Sequence, residues 1–202
     1  MSESGERVGV FGGAFNPPHL GHVVCAQEAR IELELDRVLL VPVGRPPHRE
    51  PISEADAEQR LAMTRLAAIG QPGIEVSTIE LDRDGTSFTA DTLALLVEQE
   101  PEAELVLIIG ADQAVAFGDW HEPGRVAQLA LVAVAGRAGA ELEAAAAEVG
   151  RHTGERVPLT FEMPRIDISS SMIRARVGKG ETVAHLVPAG VAELIKEAGL
   201  YR

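Results

Sequence analysis

Short apolar runs alternate with longer amphipathic stretches along the chain. The runs at 7–11, 37–43, 74–81, 104–109 and 131–135 read as strands, most of them continuously apolar. Continuous runs of that length predict strands buried on both faces, as in a parallel sheet covered by helices. A last strand is expected just before Pro164. Helical spacing fills the gaps. Leu20, Val24, Ile31 and Leu35 form a stripe after the first strand; Ala62, Leu66 and Ile69 form one after the second; 89–98 is a third candidate. Val191, Leu194, Ile195 and Ala198 fall at i, i+3, i+4 and i+7, with Gly199 placed to stop the helix. The Ala- and Glu-rich stretch 139–150 reads as an exposed surface helix. Strand–helix alternation of this kind predicts a doubly wound α/β fold, a mostly parallel sheet with helices on both faces. Such sheets bind ligands beyond the carboxyl ends of their strands, where the strand order reverses. No repeat and no long linker divides the chain, so 1–202 is expected to be one domain with a small helical part at about 168–202.

Composition narrows the function. Eighteen basic residues against 31 acidic ones give a net charge of −13. That balance argues against nucleic acid as a partner, since binding there needs clustered Lys and Arg to displace phosphate counterions. It leaves small anions open, because they sense only the local field of a cleft. The single cysteine, Cys25, excludes an internal disulfide or a multi-thiolate zinc site and reads as a small buried residue. A polar, acidic beginning and the lack of a long apolar run predict a cytoplasmic protein with no membrane association.

The first chemical signal follows the first strand: Gly12-Gly13-Ala14-Phe15-Asn16-Pro17-Pro18-His19-Leu20-Gly21-His22. Paired glycines allow a sharp turn and bring bare N–H groups against a ligand. Two prolines lead into a helix start, where His19 and His22, three residues apart, share a face. The helix N-terminus adds unpaired donors and partial positive charge. Together these suit a polyphosphate. Either feature alone has a plainer reading, a turn or a helix cap. Two histidines could also hold zinc, but no His-Glu-x-x-His pattern is present and Cys25 supplies no thiolate set. Neither G-x-x-x-x-G-K-[ST] nor G-x-G-x-x-G occurs, so a phosphate site here is of another type. The second signal is Ile168-Ser169-Ser170-Ser171-Met172-Ile173-Arg174. By itself it reads as a capped helix; beside the first motif, its hydroxyls and Arg174 form a second phosphate clamp.

The first motif resembles the signature of the H-x-G-H nucleotidyltransferase superfamily. The second resembles I-S-S/T-x-I-R of the bacterial nicotinate mononucleotide adenylyltransferases. Further segments resemble that family in the same order: Pro46-Pro47-His48-Arg49, Arg83 through Leu93, Gly110-Ala111-Asp112 with Trp120, Leu186-Val187-Pro188, and the ending Gly199-Leu200-Tyr201-Arg202. The resemblance implies a Rossmann-like fold and transfer of AMP from ATP to nicotinate mononucleotide, yielding deamido-NAD and pyrophosphate, with Mg²⁺ accompanying ATP. It implies that His19 and His22 hold the phosphates, His22 at the α-phosphoryl. Gly12, Gly13 and the amides near Ala14 and Phe15 would line the ATP site. Ser169, Ser171 and Arg174 would grip its β,γ end. Arg49 would face substrate phosphate, Thr89 and Trp120 would shape the nicotinate pocket, and Asp112 would accept ribose hydroxyls.

Plainer readings remain for the outer residues: Trp120 as a core anchor, Asp112 as a helix cap, Arg49 as a surface charge. Departures from the family pattern are Ala14 for Thr, Asn16 for Asp, Phe88 for Tyr, and His121 after Trp120. Alternatives are the same chemistry on nicotinamide mononucleotide or phosphopantetheine, or a non-catalytic nucleotide-binding module. A homo-oligomer is left open.

Overall fold

The computed structural model describes residues 5–46 and 55–202. Six strands form one sheet: β1 (Arg7–Gly13), β2 (Arg37–Pro42), β3 (Ile74–Val76), β4 (Glu104–Gly110), β5 (Leu131–Gly136) and β6 (Leu159–Glu162). Their order is β3-β2-β1-β4-β5-β6, and every pairing is parallel. The order reverses between β1 and β4, so their carboxyl ends flank the crevice at which a doubly wound fold binds ligands. Residues 8–11 of β1 and the interiors of β2, β4 and β5 are buried, as continuous apolar runs require in a sheet covered on both sides.

Among the described residues six α-helices connect the strands, α1 (Leu20–Glu32), α2 (Ala57–Ala68), α3 (Thr89–Gln99), α4 (Ala111–Val115), α5 (Pro123–Leu129) and α6 (Ala140–Gly150), and two more, α7 (Ser170–Gly178) and α8 (Ala189–Glu197), follow the last strand. One core lies under each face of the sheet. A third, built from Met63, Ala67, Ile173, Val183, Val191, Ile195 and Leu200, joins α2 to α7 and α8. The α8 stripe behaves as its spacing predicts, with Val191 and Ile195 buried. Gly199 (φ 62°) ends the helix, its N–H bonding to Lys196 and that of Leu200 to Ile195. This is the two-bond arrangement that satisfies the last carbonyls of a helix.

Four expectations need correction. The α1 stripe is not the buried face: Leu20 and Ile31 are exposed, whereas Cys25, Ala26 and Ala29 are buried. Small side chains let the helix approach the sheet closely, and the large ones flank the contact. In α2 the buried face is Arg60, Met63, Thr64 and Ala67, and Ile69 is 71% exposed. The run 74–81 is a strand only to Val76. Beyond it the N–H groups of Leu81 and Asp82 both donate to Thr78, making a turn that buries Ile79 and Glu80. Finally, α6 is not a bare surface helix, because Leu142, Ala145 and Val149 are buried.

Candidate active site

The chain from β1 into α1 builds the centre of the site. Gly12 and Gly13 do not form the expected turn; they are the last residues of β1. The reversal comes at Phe15, whose φ of 46° lies in the left-handed region. For a non-glycine residue that costs about 1–2 kcal/mol. Phe15 is 1% exposed, and its buried ring holds the conformation. Gly13 makes room for that ring: a Cβ there would lie 3.1 Å from two of its atoms. Gly12 has open space where a Cβ would project.

Around this loop, partners hold one acceptor after another. Arg60 Nη1 donates to the Ala14 carbonyl (3.1 Å), Arg174 Nη1 to that of Asn16 (2.9 Å), and the Ser170 hydroxyl to that of Pro17 (2.8 Å). Tyr201 donates its hydroxyl to Asn16 Oδ1 (2.6 Å). These bonds bring the two sequence motifs together, since α7 begins against the loop that leads into α1. Arg60 is 2% exposed, and burial pulls its guanidinium below its usual range. It stays charged, and its second Nη reaches the Gly44 carbonyl.

His19 caps α1 and His22 stands one turn on, their rings 3.7 Å apart at 35°. The His19 N–H donates to His22 Nδ1 (3.1 Å). A neutral His22 therefore carries its proton on Nε2, the nitrogen left for a ligand. Burial lowers the His19 pKa to about 4; burial and the neighbouring His19 lower that of His22 to about 3. Both rings are neutral donors near pH 7. Gly21 between them leaves room for the His19 ring: a Cβ would sit 3.0 Å from His19 Nδ1 and 3.1 Å from Cε1, so the ring would have to shift by a few tenths of an ångström.

Beside this loop opens a cavity of about 460 Å³, bounded by Gly12, Gly13 and Ala14 on one side and by Thr89 and Trp120 on the other, within the size range of small-molecule sites. Thr89 is the first residue of α3, so the helix N-terminus opens onto the cavity. Trp120 also packs on the buried Phe117, ring centroids 5.3 Å apart, so the core-anchor reading holds alongside its place in the wall. Phe88 and His121 stack at 4.2 Å on the cavity wall. Ser169 and Ser171 are exposed at the start of α7, and Ser169 caps it by accepting from the Met172 N–H (3.2 Å). Asp112 is exposed in the first turn of α4, outside the cavity, with its carboxylate over Gly110, where a Cβ would come 2.5 Å from Oδ1. Arg49, with Pro47 and His48, lies outside the described residues. Burial pushes the Cys25 thiol up to about 12, which leaves it inert.

Sequence reasoning missed Arg60, Ser170 and Tyr201, which hold the loop. It also missed Glu80, a buried cavity-wall carboxylate that accepts from the Thr92 hydroxyl (2.8 Å) and the Gly44 N–H (3.2 Å). The only signal for Arg60 was its position three residues before Met63 and seven before Ala67.

Residues 10–176 match the model of the cytidylyltransferase-like family. The chain is 43% identical over 200 residues to a Roseiflexus protein named "Probable nicotinate-nucleotide adenylyltransferase", covering 98% of this chain and all of that protein. It belongs to this family of nucleotidyltransferases. A Thermomicrobium roseum relative of the same name is 39% identical over 97% of this chain and 92% of its own length. A Plasmodium falciparum nicotinic acid mononucleotide adenylyltransferase solved with NaAD superposes with a TM-score of 0.77 over 97% of each chain, at 15% identity. At that identity the likeness speaks for the fold, including the crevice between β1 and β4.

Proposed function

We propose that the chain transfers AMP from ATP to nicotinate mononucleotide, forming deamido-NAD and pyrophosphate, the adenylylation step of NAD biosynthesis. The observation that carries this reading is the neutral, stacked His19–His22 pair at the α1 N-terminus, next to a cavity that shares its Gly12–Ala14 rim. The relatives' names support the choice of acceptor.

The acceptor's phosphate oxygen attacks the α-phosphorus in line, the bond to the bridging oxygen breaks, and pyrophosphate leaves. No bond to the protein forms, so the chain's work is positioning and charge stabilisation. The His22 Nε2–H donates to the α-phosphoryl oxygen as charge grows there. His19, its Nδ1 buried without a hydrogen-bond partner among the described residues, holds the same phosphates. In a trans peptide the carbonyl and the following N–H point opposite ways. With the Ala14 carbonyl tied to Arg60, the Phe15 N–H faces away from Arg60, toward the triphosphate. Ser169, Ser171 and Arg174 take the β,γ end. Arg49 meets acceptor phosphate, and Asp112 the ribose hydroxyls. Trp120 stacks on the nicotinate ring, and donors at the Thr89 helix start meet its carboxylate.

Among the described residues no trio of His, Cys, Asp or Glu is placed to hold a metal, and His22 offers a protonated nitrogen. That donor set fits an ion carried by the nucleotide. Mg²⁺, if bound with ATP, would supply charge neutralisation at its phosphates. No described helix is long and apolar enough to cross a membrane, in keeping with our reading of a cytoplasmic enzyme.

Pyrophosphate release from ATP, measured with nicotinate mononucleotide, nicotinamide mononucleotide and phosphopantetheine in turn, tests the reading. Release with the first is expected. Release only with phosphopantetheine would reassign the acceptor, and none with any would favour a non-catalytic module.

A further inference from the structure

The chain's end reaches the centre of the site. Leu200 is buried in the core shared by α2, α7 and α8, which anchors the last turn. Tyr201 then takes a φ of 64°, again in the left-handed region. This turns its ring toward Met63 and brings its hydroxyl 2.6 Å from Asn16 Oδ1. Asn16 is 6% exposed and lies between the strained Phe15 and the prolines that lead to His19. Its backbone carbonyl is held independently by Arg174.

We infer that Tyr201 is a positioning residue for adenylyl transfer: its hydroxyl fixes the Asn16 amide and, with it, the Phe15–Asn16 segment that presents backbone donors to the triphosphate. A hydroxyl donating to Oδ1 settles which way the amide faces, leaving Nδ2 as the donor end. With both the side-chain and backbone acceptors of Asn16 engaged, the strained Phe15 peptide is held from its C-terminal side, while Arg60 holds it from Ala14. The covalently remote chain end thereby closes the loop that carries the phosphate chemistry. This inference deepens the proposed function and rests on it for its kinetic consequence, though not for its structural one.

Tyr201→Phe removes only the hydroxyl. Losing one such bond should raise KM for ATP roughly 3- to 10-fold while changing KM for the mononucleotide less than about 2-fold. In an Asn16→Ala background the same change should add less than about 2-fold, because a residue acting through Asn16 has nothing left to position. Hydrogen exchange read by mass spectrometry should show the peptide containing Phe15 and Asn16 opening about 10-fold faster in Tyr201→Phe, with helices α3 and α5 unchanged. The exchange measurement does not depend on turnover, so it decides the inference even if wild-type protein adenylylates no mononucleotide, an outcome that would sink the functional reading alone. Unchanged exchange at Phe15 and Asn16 overturns the inference, as do equal KM effects of Tyr201→Phe in both backgrounds.

Discussion

Burial holds the His19 pKa near 4 and that of His22 near 3, and a backbone N–H occupies His22 Nδ1. In the proposed reading the pair would therefore meet phosphate as oriented N–H donors rather than as cations, which leaves transition-state charge as the place where the contact strengthens. Removing one such donor costs about 3 kcal/mol. His22→Ala should accordingly lose on the order of 10²-fold or more in kcat with its thermal midpoint little changed; near wild-type turnover would remove His22 from the chemistry. The same depression has a pH consequence. Both folded pKa values lie below the ordinary 6.5, so between about pH 3 and 6.5 the unfolded chain binds more protons than the folded one. Stability falls as pH drops through that window. In the ligand-free protein, the imidazole resonances of His19 and His22 should not titrate between pH 5 and 8, and His22→Gln should flatten the urea-midpoint profile below pH 6.5. Titration of either ring near 6.5 would show that burial does not control it.

Helix α1 shows how an element serves a site at its own expense. Gly21 sits in its first turn, where Ala would ordinarily stabilise by up to about 1 kcal/mol. Here the Cβ would press on the His19 ring at 3.0 Å. Gly21→Ala should leave the melting temperature equal or higher and lower kcat/KM about 10-fold, since displacements of a fraction of an ångström already matter for bound phosphates. A variant as active as wild type would show that the ring has room to move.

At this scale the sequence was legible wherever apolarity and periodicity agree. The strands that flank the crevice, the start of α3 at Thr89 and the end of α8 at Gly199 follow directly. Periodicity misled where small residues make the contact, as with Cys25, Ala26 and Ala29 in α1, or Ala145 in α6, because alanine marks neither face. It also misled at 77–81, where Ile79 and Leu81 alternate as in a strand but the chain turns to place Glu80 on the cavity. The motifs at 12–22 and 168–174 were readable as motifs. Their supports, Arg60 from α2 and Tyr201 from the chain end, were not, because nothing local in the sequence says which carbonyl a distant side chain will find.

The whole molecule carries a net charge of −13, while Arg60 and Arg174 hold the loop beside the cavity and the α3 N-terminus opens onto it. The shell and the cleft thus have opposite preferences. Random oligonucleotides should show no measurable binding at about 0.15 M salt, since the counterion release that drives such binding needs an extended basic surface; a steep, salt-dependent association would contradict the reading. ATP, which meets only the cleft, should bind. The doubly wound sheet places the loop after β1 and the Trp120 segment after β4 on either side of one crevice, so in the proposed reading a dinucleotide would be assembled across it.

In the proposed reading the acceptor ring would occupy the part of that crevice walled by Thr89 and Trp120, where no described Arg or Lys lines the cavity. We propose that discrimination between a carboxylate and an amide draws on backbone donors and the α3 N-terminus, which opens onto the cavity. Charge-assisted bonds of that kind are roughly twice as strong as neutral ones, enough for a preference of about 10- to 10³-fold. The decisive measurement is kcat/KM for nicotinate mononucleotide against nicotinamide mononucleotide, with ATP saturating and the dinucleotide product identified. The account predicts deamido-NAD formed with that preference; equal values, or a preference for the amide, would contradict it.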